Sequence, residues 1–132
     1  MSNKKRLFKP RIWLLLVIAL SLSSEAFVRS LGVVDFPLYQ ANMQIGYIPA
    51  LSQQGSFLNR NDWKFNSLHM GAPEFLPGPV LDLLLVGDSV VYGGNAYRQS
   101  DRLGPALQAS LQLHSPGALV WPISAGSWAL RN

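Results

Sequence analysis

The hydrophobic pattern divides this 132-residue chain into two apolar runs joined by a polar, aromatic-rich stretch. The first run covers residues 12–22 and is almost continuously apolar. The second covers residues 80–86, is interrupted only by Asp82, and stops at Gly87-Asp88-Ser89. The first kind of run is typical of a membrane or signal helix, and the second of a strand buried on both faces. The pattern therefore predicts an N-terminal helix followed by a small α/β domain.

A basic cluster precedes the first apolar run. Five of the eleven Lys and Arg residues lie within residues 1–11, which predicts a cytoplasmic n-region here and export of the rest of the chain. Residues 12–34 are the predicted membrane anchor or signal helix, on which Glu25 and Arg29 are spaced to pair. The charge-free part, residues 12–24, is short against the ~20 residues that span a bilayer. Apolar residues continue beyond it and no clear Ala-x-Ala cleavage site is present, so we favour a retained anchor over a cleaved signal.

Charge and composition exclude several classes of protein. The net charge of +4 comes from the N-terminal cluster, because from residue 12 onward six basic and seven acidic residues sum to −1. This distribution argues against a nucleic-acid-binding face. The chain contains no cysteine, which excludes a disulfide framework and a thiolate metal site. We predict no metal or other cofactor and leave the oligomeric state open.

Residues 35–79 form the predicted irregular, extended segment, rich in Pro, Gly, Asn, Gln and aromatic residues. Short extended pieces are expected at residues 46–49 and 55–59, and a strand with one solvent-facing side at residues 63–66. Asn61-Asp62 is a turn signal. We interpret the aromatic residues as packing anchors. A stiff linker is predicted at the closing prolines, which are Pro73, Pro77 and Pro79.

Residues 80–132 have the pattern of a strand, a helix and a second strand. The glycines at 93 and 94 break the chain after the first strand, and Ser100 and Asp101 are candidate helix caps. Pro105 suits a first helical turn, and the apolar spacing predicts a helix to about Leu113. A second strand is predicted at residues 118–123. This order predicts a βαβ unit and hence a parallel sheet.

In several types of functional site, a strand ends at a glycine-containing turn such as Gly87-Asp88-Ser89. A dinucleotide or phosphate loop is disfavoured, because the glycines do not match G-x-G-x-x-G or a P-loop. The α/β-hydrolase elbow G-x-S-x-G is also disfavoured, because Val91 stands where its second glycine belongs. On these three residues alone, a plain strand end with a helix cap is the best interpretation.

The wider context resembles the SGNH/GDSL hydrolase family, in particular its exported, membrane-anchored members. Four stretches of the chain are similar to that family: residues 25–29, residues 46–49 with 65–67, residues 83–93, and residues 120–128. The resemblance implies an SGNH-type, flavodoxin-like parallel sheet that is incomplete in this chain. Residues 80–132 would then be the first part of the hydrolase domain, containing its first βαβ unit.

The resemblance also assigns roles to individual residues. Ser89 would be the nucleophile and would give one oxyanion N–H, Gly126 would give a second oxyanion N–H, and Asp88 and Gly87 would support the loop. The family's third-block asparagine and its C-terminal Asp and His are expected to lie beyond Asn132. The two histidines of this chain, His69 and His114, do not match the catalytic position.

These roles imply a serine esterase or O-acyltransferase that acts outside the cytoplasm through an acyl-Ser89 intermediate. The resemblance suggests an acylated glycan or a small ester as substrate, the membrane as the partner of the N-terminal helix, and no activity for this chain alone. The alternative is a non-catalytic, membrane-tethered scaffold without a catalytic histidine.

Overall fold

The computed structural model describes residues 10–77 and 80–128 as a mixed α/β chain with an N-terminal helix, two antiparallel hairpins and one parallel pair of strands. The basic residues predicted as an n-region lie almost entirely outside the described part, which begins at Pro10. The elements in chain order are α1 (Pro10–Ser30), β1 (Tyr39–Asn42), β2 (Gly46–Pro49), β3 (Gln53–Phe57), β4 (Asn61–Phe65), β5 (Asp82–Gly87), α2 (Ser89–Tyr92), a 3₁₀ turn (Gln99–Asp101), α3 (Leu103–Gln112) and β6 (Leu119–Ser124).

Helix α1 is long and apolar enough to cross a membrane, and none of its residues is buried against the rest of the protein. This agrees with the predicted anchor or signal helix, although the helix ends at Ser30 rather than at residue 34. Near its end the Arg29 Nε donates to Glu25 Oε1 at 2.7 Å, as the spacing predicted. The backbone then turns at Gly32, which adopts a φ of +68°.

The second hairpin follows the predicted alternation. In β4, Trp63 and Phe65 are buried while the intervening Lys64 is exposed, because successive side chains of a strand point to opposite faces. The turn predicted at Asn61-Asp62 is wrong, since Asn61 pairs with Phe57 within the β3–β4 ladder. The turn lies earlier, between the two strands.

Strands β5 and β6 pair in parallel from Asp82↔Leu119 to Gly87↔Ser124. Helix α3 lies between them in the chain and packs on one face of the sheet. Gly104 of the helix comes so close to β6 that a Cβ built on it would lie 3.0 Å from the Pro122 ring. The predicted βαβ unit is therefore confirmed at the level of a small parallel sheet.

The outer edge of β6, which faces away from β5, is covered by a glutamine side chain and by loop backbone rather than by another strand. Gln108 Oε1 accepts the Val120 N–H at 2.9 Å, and the Gly71 N–H donates to the Pro122 carbonyl at 2.9 Å. Pro122 itself has no N–H to offer. The edge of β6 that faces away from β5 is thus closed to further strand pairing.

Strand β5 differs from its prediction, because it is not buried on both faces. Leu84 and Val86 are 56% and 60% exposed. Helix α3 covers only the opposite face of the sheet, and no other described element covers these two side chains. On their own face Trp121 is buried against Phe75, with ring centroids 4.7 Å apart, and its Nε1 donates to Asp82 Oδ1. Asp82, the polar interruption of the apolar run, is therefore a hydrogen-bond partner of Trp121.

Helix α3 ends within a residue of the predicted Leu113, but its cap differs from prediction. The N-cap residue is Arg102, and its side chain makes no capping hydrogen bond. Ser100 and Asp101 lie in the preceding 3₁₀ turn, where the Ser100 hydroxyl donates to Asp101 Oδ1 at 2.9 Å. The predicted helix caps are wrong because Ser100 and Asp101 both belong to the 3₁₀ turn that precedes α3. Residues 71–77 form no helix or strand, as their prolines predict, and Pro79 lies outside the described residues.

Candidate functional site

Ser89 is the first residue of α2 and follows β5 with only Asp88 between them. Its side chain is exposed. Asp88 is the N-cap residue, and its Oδ1 accepts the Val90 N–H at 2.9 Å. Gly93 ends the helix with a φ of +73° and donates its N–H to the Ser89 carbonyl at 2.9 Å. These bonds define a short, capped turn that presents the serine at the end of the strand.

Gly87 allows this turn to fold back against the end of β5. A Cβ at Gly87 would overlap the Val91 side chain, with the Val91 Cβ itself only 2.9 Å away. Any larger residue at this position must therefore displace α2 or Val91. Among the residues of the Gly87-Asp88-Ser89 turn, the glycine is thus required by close packing.

Gly126 lies at the same edge of the sheet as Ser89. Gly87 and Ser124 are register partners at the ends of β5 and β6, and Ser89 and Gly126 each follow two residues later. In parallel sheets the carboxyl ends of the strands are where ligands bind. Gly126 is half-buried, and a Cβ built on it would meet no atom of the described structure within 4 Å. No described atom therefore fills the side of Gly126 on which a Cβ would lie.

The first hairpin holds the Gly126 loop. The Tyr47 hydroxyl of β2 donates to the Gly126 carbonyl, and Trp128 Nε1 donates to the Tyr47 carbonyl at 2.9 Å. Tyr47 also packs edge-on against Tyr39, with ring centroids 5.8 Å apart. Sequence reasoning treated these aromatic residues only as packing anchors. The pattern of alternation gave no sign of hydrogen bonds that join residues about 80 positions apart.

A second group of side chains, which packs around Tyr92 of α2, was not predicted from the sequence. Arg102 is only 7% exposed, and its guanidinium carbon lies 4.9 Å from the centre of the Tyr92 ring. Burial lowers the pKa of Arg102, while burial raises the pKa of Tyr92 and, with a smaller contribution from the adjacent Tyr92, that of Tyr39. The Tyr92 hydroxyl hydrogen bonds with Asn95 Oδ1.

The two histidines have other surroundings. His69 Nδ1 hydrogen bonds with the Pro49 carbonyl at 2.6 Å, and the residue has a φ of +63°. His114 follows α3, where it is exposed and donates its N–H to the Leu111 carbonyl at 3.0 Å. Within the described part of the chain, no hydrogen bond joins either histidine to Ser89. The structure thus brings Ser89 and Gly126 to one edge without supplying a histidine base there.

Within residues 10–77 and 80–128, no group of three or more His, Asp and Glu side chains is arranged to hold a metal ion. The fold and this edge define a mixed α/β protein with an N-terminal helix of membrane-spanning length. No protein-family model, curated protein or solved structure matches the chain.

Proposed function

We propose that this chain belongs to an exported, membrane-anchored serine esterase or O-acyltransferase of the SGNH type, which acts through an acyl-Ser89 intermediate. The observation that supports it is the register of the sheet. Ser89 and Gly126 follow the paired residues Gly87 and Ser124, so the exposed hydroxyl and the open glycine share one edge.

The proposed reaction uses these groups in a defined order. The Ser89 Oγ attacks the carbonyl carbon of an ester, and its proton passes to a general base. The Ser89 and Gly126 N–H groups stabilise the oxyanion, and its collapse forms acyl-Ser89 and releases the alcohol with a proton. Water regenerates the serine in an esterase, and a second alcohol takes the acyl group in an acyltransferase. The base comes from a part of the catalytic domain outside the described residues.

The arrangement of the sheet supports a larger, flavodoxin-like domain. Gln108 and Gly71 close the outer edge of β6, so further strands of such a sheet would add beside β5. Additional helices would cover Leu84 and Val86, because parallel sheets are normally protected on both faces.

The location proposed for this site is outside the cytoplasm. The basic residues before α1 favour a cytoplasmic N-terminus, and α1 is long enough to cross the membrane once. The catalytic edge would then face the periplasm or the cell exterior. An acylated glycan or a small ester at that surface is the proposed substrate.

Covalent labelling tests the proposed function. The full-length protein in its native membrane is expected to react with a fluorophosphonate probe, and peptide mass spectrometry should place the adduct on Ser89. Ser89→Ala should remove the labelling. Ser127→Ala is the matched control, since Ser127 is an exposed serine beside Gly126 and should leave labelling unchanged. A wild-type protein that is never labelled would contradict the hydrolase proposal.

A second candidate function is a non-catalytic, membrane-tethered scaffold. The hydrogen bond between the His69 ring and the Pro49 carbonyl favours it, because that contact holds the histidine at the end of β2 and not at Ser89. The same labelling experiment separates the two proposals. An unlabelled protein that remains folded and membrane-bound is the result expected of the scaffold.

The contact between the first hairpin and the Gly126 loop gives a further prediction. Tyr47→Phe keeps the ring but removes the hydroxyl that donates to the Gly126 carbonyl. We expect the rate of fluorophosphonate labelling to fall roughly fivefold, because one hydrogen bond of ~1 kcal/mol no longer positions the loop. Tyr97→Phe serves as the control at an exposed tyrosine. Equal labelling rates for Tyr47→Phe and wild type would show that this contact does not position the site.

A further inference from the structure

Exposed apolar side chains surround the point where α1 joins the rest of the protein. Within the described part of the chain, the large apolar residues exposed there are Phe27, Leu31, Val33, Val34, Phe36 and Leu58. We call these residues the proximal patch. A cluster of exposed apolar side chains marks a surface that contacts another molecule or a membrane.

Leu58 belongs to this patch because the β3–β4 turn is bonded to the end of α1. The Leu58 N–H donates to the Gly32 carbonyl at 2.9 Å, and the Asn59 Nδ2 donates to the Ser30 carbonyl at 2.8 Å. The two segments are so close that a Cβ at Gly32 would lie 2.7 Å from the Asn59 nitrogen. The chain after α1 is therefore held against the β3–β4 turn and is not a free linker.

The conformation of Leu58 is also unusual for its residue type. Its φ is +56°, in the left-handed region that glycine and asparagine adopt most easily. A bulky side chain in this strained conformation, and exposed, does little to stabilise the turn or the core. Strained residues that persist at a surface are found where the surface has a function.

The charge-free part of α1 is shorter than the hydrocarbon core of a bilayer. Residues 12–24 carry no charge and rise about 20 Å, whereas the core is about 30 Å thick. A bilayer adapts to a short span by thinning around it, which brings its surface to the flanking residues. The next charges along the helix, Glu25 and Arg29, form an ion pair at 2.7 Å and so largely neutralise each other. The end of α1 can therefore enter the headgroup region.

We propose that the proximal patch lies in the surface of the lipid bilayer beside α1 and seats the rest of the protein on the membrane. The proposal rests on α1 crossing the membrane, which is part of the proposed function, and is independent of whether Ser89 is a nucleophile. The Asn61 Nδ2 of β4 donates to the Asn95 carbonyl at 3.1 Å, so the seated hairpin contacts the loop that follows α2. The Ser89 edge of the sheet then lies nearer to the bilayer than Leu113, which follows α3 at the opposite end.

Fluorescence quenching at defined depths tests this placement. Because the chain contains no cysteine, a single-cysteine variant of the full chain takes one NBD label, and the labelled protein is reconstituted in phosphatidylcholine vesicles. The label at Leu58→Cys should be quenched by a lipid nitroxide near the headgroup and shielded from aqueous iodide, because the patch lies about 5–10 Å into the headgroup–acyl boundary. Leu113→Cys, at another exposed leucine, is the matched control and should show the reverse. Leu16→Cys reports on the middle of α1 and should be quenched by a nitroxide at the end of the acyl chains.

The outcomes separate this proposal from the membrane anchor on which it rests. If Leu16→Cys is quenched from the lipid and Leu58→Cys is quenched only by iodide, the patch faces water and the proposal is overturned while the anchor stands. A Leu58→Cys label shielded from both quenchers also overturns it and indicates that protein covers the patch. If Leu16→Cys is not quenched from the lipid, the anchor and the proposal both fail. Should Leu58→Cys not fold, Phe36→Cys in the same patch gives the same measurement.

Discussion

Replacing Asn66 with alanine is expected to lower the free energy of unfolding by about 3–5 kcal/mol. Asn66 is fully buried, and its side chain makes three hydrogen bonds to the backbone. Its Oδ1 accepts the N–H groups of Leu68 at 2.9 Å and Met70 at 3.0 Å, and its Nδ2 donates to the Pro73 carbonyl at 2.9 Å. Alanine leaves all three partners unsatisfied, and each buried orphan group costs about 1–3 kcal/mol.

The effect should be large because Asn66 connects several parts of the fold through its backbone as well. Its N–H donates to the Met70 carbonyl, and its own carbonyl accepts the Ser52 and His69 N–H groups. The side chain thus fixes a turn that directs the chain from β4 into the linker leading to β5. Urea unfolding of the full chain in detergent, followed by tryptophan fluorescence, measures the change.

Ser67→Ala is the matched control for Asn66→Ala. Ser67 is exposed, and its hydroxyl and N–H donate to Glu74, which lowers the pKa of that carboxyl. This interaction contributes above the pKa of Glu74 in the unfolded chain and is lost as the pH falls through its pKa in the folded chain. We therefore expect a much smaller effect than for Asn66→Ala, and one that disappears in acid. Equal losses for the two variants would contradict the central role of Asn66.

The parts of the fold that sequence reasoning predicted are those with local signals. The apolar run at residues 80–86 and the one at residues 118–123 lie within two residues of β5 and β6, because a short apolar run and its bounding turns are encoded by neighbours in the chain. Pro105 and the helical spacing likewise located α3. The turn that presents Ser89 follows from Gly87 and Asp88, which are adjacent to it.

The features that were missed depend on partners distant in sequence. Nothing near Arg102 signals that it becomes buried against Tyr92, since an arginine before a helix is ordinarily exposed. The hydrogen bonds between Tyr47 and the Gly126 loop are likewise set by how the first hairpin packs on the sheet. The exposure of Leu84 depends on which layers cover β5, which the apolar pattern of the strand does not specify.

The role of Gly87 in placing Ser89 gives the second large prediction. Gly87→Ala should destabilise the fold by about 1–3 kcal/mol, because its Cβ overlaps Val91 in a packed region. Because the Val91 Cβ is itself in the overlap, turning the side chain alone does not relieve it, and a shift of α2 would move Ser89 relative to Gly126. A displacement of about 1 Å in a catalytic group can lower a rate by about 100-fold, and we expect a fall of that size in fluorophosphonate labelling.

A second substitution separates this steric mechanism from a general loss of folding. Val91→Ala removes the Cγ2 methyl group nearest to the new Cβ but keeps the Val91 Cβ at 2.9 Å, so the double variant Gly87→Ala/Val91→Ala should recover part of the lost stability and about tenfold of the labelling rate. Val91→Ala alone should change labelling little, because Val91 contacts the strand end rather than the exposed serine. If the double variant is no better than Gly87→Ala, the overlap with Val91 is not what places Ser89. The free energies of unfolding of the single and double variants remain decisive even for a protein that the probe does not label. They measure the packing of α2 on β5 directly.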